Sequence, residues 1–217
     1  MSGNTQVGGY SLGEEIANAV AHGLGTAAAI VALTLMLVKA IPVLPAVDIA
    51  GVAVYGASLV TLFLSSTLYH SFTHQPTKAV LKRLDHCSIY LLIAGSYTPF
   101  LLITLHGSLR AEVLLVVLWV VAVAGVAFKI LFVHKFRRAS LIVYLVMGWA
   151  AVVVIYDLYH ALPAPAFDLL VAGGLSYTVG AGFYAAKQYR YTHAIWHLFV
   201  LGGAACHCVA IAAYVIP

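Results

Sequence analysis

Long apolar runs alternate with short polar stretches along the whole chain. Seven of these runs are long enough to cross a bilayer, for which an α-helix needs about 20 predominantly apolar residues. A helix also satisfies its own backbone hydrogen bonds inside hydrocarbon. The pattern therefore predicts seven transmembrane helices, over residues 11–39, 47–70, 85–105, 111–133, 139–156, 168–186 and 193–216.

Local signals refine the ends and the packing of these helices. Ser11 stands three residues before Glu14, the spacing of a capping box, and this predicts the start of the first helix. Residues 71–83 are polar and charged and are predicted to form a loop, and Pro99 predicts a kink in the third helix. A stripe of small residues predicts close helix packing in the sixth span and consists of Ala172, Ser176 and Gly180.

Composition assigns the chain to a class of protein. Of its 217 residues, 63% are hydrophobic and only 8% are charged, whereas soluble domains carry about a quarter charged residues. We therefore predict an all-α membrane protein, a seven-transmembrane helix bundle. A flexible cytoplasmic tail over residues 1–13 would precede a single transmembrane domain over residues 14–217. The tail lacks the basic and apolar regions of a signal peptide, so we expect the first span to be retained.

The positions of lysine and arginine predict the orientation of the bundle, because cytoplasmic loops are enriched in them. Only Lys39 and Arg110 fall on one side. The other nine of the eleven fall on the opposite side: Lys78, Lys82, Arg83, Lys129, Lys135, Arg137, Arg138, Lys187 and Arg190. We predict a multi-pass protein of the plasma (inner) membrane, with the N-terminus cytoplasmic and the C-terminus outside. No nucleic-acid partner is predicted, and the oligomeric state is left open.

Four predicted helix ends bring ionisable side chains to one depth on the cytoplasmic side. His193 and His197 stand four residues apart on the last helix and so share one face. Ser66 and His70 repeat this spacing at the end of the second helix, and Asp85 opens the third. The first helix contributes Glu15, Asn18 and His22 at the same level. Such groups are costly within a membrane, and they indicate a functional site.

Three imidazoles from two helices suit zinc, which in catalytic sites takes three protein ligands and keeps a fourth position for water. The predicted ligands are His70, His193 and His197. Asp85 would hold the zinc-bound water or act as general base, and Ser66 would orient that water or bond a developing oxyanion. The base must come from outside the histidine pair, because Ala194 stands where the soluble metalloprotease motif has its glutamate.

Each of these features also has a simpler interpretation. Two histidines near a membrane interface can be solvated or bonded to backbone carbonyls. Asp85 can cap the third helix or pair with Lys82 or Arg83, and Ser66 can bond the carbonyl one turn back. The histidines in or near predicted loops are expected to be solvated, namely His74, His106, His134 and His160.

His207 differs from the other histidines because it lies inside the last span. Ten residues separate it from His197, which places it about 15 Å deeper along a helix. It cannot bind the same metal at that distance. We expect it to line an internal cavity or to bond a neighbouring helix, and we treat it as a supporting residue together with Glu15, Asn18 and His22.

Taken together, these residues resemble the hemolysin III family, the bacterial branch of the progestin and adipoQ receptor (PAQR) family. The matching motifs are Glu15-x-x-Asn18-x-x-x-His22, Ser66-x-x-x-His70, Leu84-Asp85-His86, Gly95-Ser96-Tyr97-Thr98-Pro99, and His193-x-x-x-His197 followed by His207. The resemblance implies a seven-helix bundle with the N-terminus inside and a zinc site at the cytoplasmic end. It places the zinc on the same three histidines, with Asp85 and Ser66 beside them.

Three hypotheses for the function follow. The wider superfamily looks like membrane hydrolases that cleave amide bonds, so the first is a zinc-dependent hydrolase whose substrate is a membrane lipid amide or ester. The second is a membrane sensor or homeostasis protein in which zinc is structural and no bond is broken. The third is cytolysis, which the family name suggests. Nothing marks the chain for secretion, and its spans are too apolar to line a wide channel.

Overall fold

The first helix begins where the sequence predicts it. A computed structural model describes residues 10–132, 136–186 and 188–217, the side chain of Arg137 excepted. The backbone N–H of Glu14 donates to Ser11 Oγ at 3.4 Å, and the N–H of Ser11 donates to Glu14 Oε2 at 2.9 Å. The predicted capping box is therefore confirmed. Most of the predicted flexible tail, residues 1–9, lies outside the described residues.

Seven helices in the described part of the chain are long and apolar enough to cross a membrane, which confirms the predicted all-α class. The α-helices are α1 (Leu12–Ala40), α2 (Ala46–Ser71), α3 (Gln75–Pro99), α4 (Leu109–Phe132), α5 (Arg137–Gly148), α6 (Ile155–Ala161), α7 (Ala164–Ala185) and α8 (Thr192–Ala210). The 3₁₀ turn Ala150–Val154 joins α5 to α6 as the fifth span. The π-helical turns Phe100–Thr104 and Ile211–Val215 extend α3 and α8.

The predicted loop over residues 71–83 is wrong, because α3 already begins at Gln75. Pro76 in the first turn of α3 lacks only an N–H that would have no helical partner there. Lys78 is buried, and its ammonium group donates to the carbonyls of Tyr69 at 3.0 Å and Phe72 at 3.2 Å. Lys78, which suggested a loop because it is charged, thus donates hydrogen bonds to free carbonyls at the end of α2.

Other predicted helix ends also need correction. The fifth span continues past Tyr156 to Ala161, and α7 starts at Ala164 rather than at Asp168. At Pro99, where a kink was predicted, the helix changes from α-helical to the π-helical turn Phe100–Thr104. Proline has no N–H to donate, so one hydrogen bond of the α-helix is missing at this position.

The stripe of small residues on α7 makes the predicted close helix packing, and its partner is α8. One of the three predicted members does not take part. Ser176 Oγ donates to the carbonyl of Phe199 at 2.8 Å. A Cβ atom on Gly180 would lie 2.6 Å from Phe199 Cβ, so only glycine permits this approach. Ala172, however, is exposed, and the neighbouring Gly173 is buried against α8 instead.

Packing leaves a ring of helices with an apolar exterior. The helices α1, α2 and α3 pack in succession, α7 packs on α8, and α8 packs on α1. Large apolar side chains such as Leu35 and Val120 are exposed on the outer faces of α1 and α4. In a membrane these faces contact lipid, whereas ionisable side chains such as Glu15, His70 and His197 are buried inside the bundle.

Candidate metal centre and internal cavity

A buried group of three histidines lies where α2 ends and α8 begins. One ring nitrogen from each of His70, His193 and His197 lies within 4.8 Å of the others, so this group could hold a metal ion. The ring centroids are 4.6 Å apart for His193 and His197, and 5.2 Å from His70 to each of them. The structure therefore brings together the three imidazoles that the sequence grouped as ligands.

The first helix braces His70. Glu15 Oε2 lies 2.5 Å from His70 Nδ1. A carboxylate can only accept, so Nδ1 carries the proton and donates it, which leaves the lone pair on Nε2. That Nε2 is buried and has no hydrogen-bond partner within the described residues. A carboxylate behind a histidine in this way is the usual outer-shell arrangement of protein metal sites.

Lys78 extends this brace to α3. Its ammonium group lies 2.9 Å from Glu15 Oε1, and both side chains are nearly fully buried. The same ammonium group also lies over the ring of Tyr69, 4.8 Å from its centroid. Lys78 therefore compensates the charge of Glu15 and fixes the end of α2, the helix that carries His70.

His197 is held by the same first helix. Its Nδ1 donates to the backbone carbonyl of Asn18 at 3.3 Å, and a carbonyl can only accept. Its Nε2 is again the nitrogen left for a ligand. The ring of His22 stacks on His197 with centroids 3.6 Å apart and planes inclined by 11°. The side-chain amide of Asn18 also lies 3.4 Å from His70 Nδ1, so one turn of α1 touches two of the three histidines.

The ring of Tyr10 packs against two members of the triad. Its ring stacks on His193 at 5.1 Å, with an interplanar angle of 25°, and meets His70 edge-on at 6.0 Å. Burial raises the pKa of the Tyr10 phenol well above its usual range, so the hydroxyl stays protonated. Tyr10 directly precedes Ser11, the capping residue of α1.

Asp85 and Ser66 occupy different surroundings. Asp85 lines the internal cavity described below, and its Oδ2 accepts a hydrogen bond from His86 Nδ1 at 3.0 Å. The Asp85 side chain is 14% exposed, so it can be reached from the cavity. Ser66 lies one turn before His70 on α2. It is buried, and its hydroxyl has no hydrogen-bond partner within the described residues.

An elongated apolar cavity of about 330 Å³ runs through the bundle from the triad. Asp85, His193 and His197 line it at one end, and Leu158 and His207 line it at the other. Between them the walls come from α3 and from α5 to α8 and are mainly aliphatic and aromatic. Its size and lining are typical of sites for small apolar ligands.

His207 meets both expectations made for it. It lines the cavity, and its Nε2 lies 3.1 Å from the backbone carbonyl of Leu170 on α7. His74, His106 and His160 are exposed, as predicted for histidines near loops. His134 lies outside the described residues.

Sequence reasoning did not assign roles to Tyr10, Lys78 or His86. Lys78 was counted as a loop cation because the start of α3 was placed too late. Among the lysines and arginines whose side chains the structure describes, Lys78 and Lys129 are the two that are buried. The signal that could have identified Lys78 is its position shortly after Pro76, which marks a helix start. His86 adjoins Asp85 in the sequence, and Tyr10 carries no comparable signal.

Comparison with known proteins matches almost the whole chain to one family. The model of the family described as "Haemolysin-III related" matches residues 10–208. Hemolysin-3 of Bacillus cereus is 47% identical over 204 residues, which cover 94% of this chain and 93% of that protein.

More distant relatives come from animals and plants. The human monocyte to macrophage differentiation factor is 32% identical over 169 residues, covering 74% of this chain and 68% of that protein. The heptahelical transmembrane protein ADIPOR2 of rice, Oryza sativa subsp. japonica, is 28% identical over 175 residues, covering 71% and 76%. The similarity therefore extends beyond bacteria and includes a protein named for seven helices.

Proposed function

Because the chain belongs to the haemolysin III family of the wider PAQR group, and so to a class of multi-pass membrane proteins, we propose that it is a zinc-dependent hydrolase in the membrane. Its substrate would be an amide or ester of a membrane lipid. One observation carries the proposal: His193 and His197 of the buried histidine triad lie on the wall of one apolar cavity together with Asp85.

The donor set supports zinc as the metal. The three residues that would hold it are His70, His193 and His197, and three imidazoles with one open position are a common zinc site of hydrolytic enzymes. The buried, unpartnered Nε2 of His70 is a polar atom that a metal ion would satisfy. Bound zinc would supply Lewis-acid polarisation of a substrate carbonyl and of a water molecule.

Asp85 is the residue proposed to move the proton. Its carboxylate lies on the cavity wall, and the hydrogen bond from His86 orients it. It would accept a proton from the attacking water and return it to the leaving nitrogen or oxygen. Ser66 would assist with its free hydroxyl, which can donate to a developing oxyanion.

The other groups hold the site in shape. Glu15 and the carbonyl of Asn18 keep the protons of His70 and His197 on Nδ1, so that both Nε2 atoms keep their lone pairs. The apolar cavity would hold the acyl chain and exclude bulk water from the reacting bond. Tyr10, which stacks on His193, would limit the access of water to the triad.

We place the protein in the plasma membrane with the triad on the cytoplasmic side. The excess of lysine and arginine in the loops on that side supports this orientation. A reporter enzyme that is active only outside the cytoplasm, fused after residue 217, should be active, and the same reporter fused before residue 1 should be inactive. The reverse pattern would place the triad at the outer surface.

The decisive experiment measures metal and turnover on the same preparation. The full-length protein is purified without added metal, its zinc is counted by mass spectrometry, and it is offered fluorescent lipid amides and esters in nanodiscs. We expect about one zinc per chain, as one site with three protein ligands would bind. We also expect release of a fatty acid that stops in the Asp85→Asn variant. A folded protein without stoichiometric metal would refute the proposal.

A structural role for zinc is the second candidate, and one observation favours it. The triad joins α2 to α8 and is braced by α1, so a bound ion would tie three helices together. If zinc is only structural, His70→Ala should lower thermal stability together with function, and Asp85→Ala should leave function intact. Loss of function in both variants with stability retained would exclude this candidate.

Cytolysis is suggested by the printed name of the Bacillus cereus relative and concerns that protein. The cavity of this chain is lined mainly by apolar side chains, which does not suit a water-filled pore. Liposomes loaded with dye and reconstituted with the purified protein should therefore retain the dye. Rapid release at a low ratio of protein to lipid would favour cytolysis over hydrolysis.

A further inference from the structure

Tyr10 lies between the buried triad and the surface of the protein at the start of α1. Its ring stacks on His193 with centroids 5.1 Å apart and meets His70 edge-on at 6.0 Å, so it contacts one histidine of α8 and one of α2. The three histidines of the triad are buried, whereas Tyr10 is partly exposed. An ion that leaves the triad on this side has to pass the ring of Tyr10.

The carboxylate of Glu14 joins the two chain segments that meet at this ring. Its Oε2 accepts from the backbone N–H of Ser11 at 2.9 Å, and its Oε1 accepts from the backbone N–H of Tyr191 at 2.8 Å. Ser11 directly follows Tyr10, and Tyr191 stands two residues before His193. This Glu14 link therefore ties the segment that carries Tyr10 to the segment that carries His193.

The backbone on the α8 side of the Glu14 link is in an unusual conformation. Tyr191 has a φ of 60°, in the left-handed region. A residue with a side chain adopts this conformation only where neighbouring contacts hold it, and the bond from its N–H to Glu14 is one such contact. Loss of that bond frees Tyr191 to relax, which separates the start of α8 from the start of α1.

Two other openings near the triad are poor routes for a metal ion. The internal cavity is lined mainly by apolar side chains, and an ion that gives up its water there does so at high cost. A surface groove between α1 and α2 has apolar walls, which include Leu12, Ile16 and Val20. The side chain of His70 is 0% exposed, so this groove does not open onto its ring. The path past Tyr10 is therefore the favoured route.

We propose that Tyr10 is a lid on the metal centre and that the Glu14 link keeps it closed, so that a metal ion enters and leaves when the ring moves off His193. The lid rests on the metal site of the proposed function and does not depend on hydrolysis. Its removal speeds entry and exit alike, because a lid that closes equally over the free and the loaded site shifts no binding equilibrium. A ring that only braces His193 differs, because its removal weakens binding through faster release.

The test measures zinc exchange on the purified full-length protein in nanodiscs. Zinc-loaded protein is mixed with excess EDTA, and the zinc that remains bound is counted by mass spectrometry at successive times. Uptake of zinc by the metal-free protein is followed in the same way. Release and uptake should both be about tenfold faster in Tyr10→Ala than in the wild type, the effect expected from the loss of two aromatic contacts. The dissociation constant should equal that of the wild type.

Matched variants assign the effect to the ring and to the link. Tyr10→Phe keeps the ring and should exchange zinc at the wild-type rates. Tyr189→Ala should also keep these rates, because Tyr189 is 67% exposed in the turn before α8. Glu14→Gln has one acceptor oxygen for two backbone N–H groups, so release and uptake should be about fivefold faster, the effect of one lost hydrogen bond. If Tyr10→Ala does not fold, Glu14→Gln still decides.

The outcomes separate the lid from the proposed function. Wild-type rates in Tyr10→Ala and Glu14→Gln would overturn the lid and leave the hydrolase proposal standing. Faster release with unchanged uptake would also overturn it, since Tyr10 would then only brace His193. A folded protein that binds no zinc would overturn both proposals. Faster exchange in a protein that hydrolyses no lipid amide or ester would support the lid while the hydrolase proposal fails.

Discussion

The two ends of the cavity hold histidines in opposite ways. At one end, three imidazoles from α2 and α8 face each other and are braced by Glu15 and by the carbonyl of Asn18. At the other end, His207 is a single imidazole bonded to one carbonyl of α7 and surrounded by aromatic rings. The first arrangement suits a cation that satisfies several lone pairs, whereas the second ties α8 to α7 through one hydrogen bond.

The two ends differ in how their histidines are braced and not in how deeply they are buried. Both ends are buried to a similar degree, with His193 and His207 each 8% exposed. Only at the triad end do Glu15 and Lys78 supply charges that compensate each other beside the ligands. The predictions below test whether metal binding and chemistry depend on this end alone.

The largest effect is expected from the triad itself. His197→Ala removes one of three proposed ligands. The two remaining imidazoles are fewer than the three protein ligands of a catalytic zinc site. Zinc in the purified protein should fall from about one ion per chain to background. His160→Ala is the matched control, because His160 is exposed, far from the triad in sequence, and bonds the carbonyl of Tyr156 on its own helix. Equal zinc in both variants would exclude the triad as the metal site.

The next effect separates chemistry from metal binding. Asp85→Asn keeps the size of the side chain and an oxygen that can accept from His86, but it removes the basic carboxylate. Turnover of a lipid amide should fall by about 10²–10⁴, the usual contribution of general acid–base catalysis. Zinc content should remain that of the wild type. Loss of zinc together with activity would instead make Asp85 a part of the metal site.

A smaller effect is expected behind the ligands. Glu15→Gln keeps an acceptor near His70 Nδ1 but removes the negative charge that Lys78 compensates. Zinc affinity should fall about 10- to 100-fold, as it does when an outer-shell carboxylate is lost. Glu14→Gln is the control, because the adjacent Glu14 belongs to the capping box, where glutamine also serves. An equal loss in both variants would indicate general destabilisation of α1.

Much of the triad end was predictable because depth and helical spacing are properties of the sequence. The four-residue spacing placed His193 and His197 on one face, and the length of each apolar run set the depth of His70. The rotation of each helix about its axis is set by packing, and the sequence does not reveal it. For that reason Glu15 and Asn18 were assigned to the site without a defined partner, and the structure supplies the partners.

The start of α3 shows a second limit. A cluster of lysine and arginine was interpreted as a solvated loop, yet Lys78 is buried and bonds the end of α2. Burial of a lysine depends on carbonyls and a carboxylate from other helices, which no local pattern reveals. The same dependence on distant groups hid the bond from His207 to Leu170, for which the sequence left a cavity wall and a helix contact as alternatives.

The smallest effect is expected at the far end of the cavity, where His207 can be changed without touching the metal. His207→Gln keeps a side-chain N–H that can reach the carbonyl of Leu170, whereas His207→Leu loses this hydrogen bond. Zinc content should equal that of the wild type in both variants. The free energy of unfolding should fall by about 1 kcal/mol more in His207→Leu than in His207→Gln, the usual contribution of one hydrogen bond. Denaturant unfolding in detergent measures this difference. Reduced zinc in either variant would show that the two ends are coupled, and the contrast between the triad end and the His207 end would then fail.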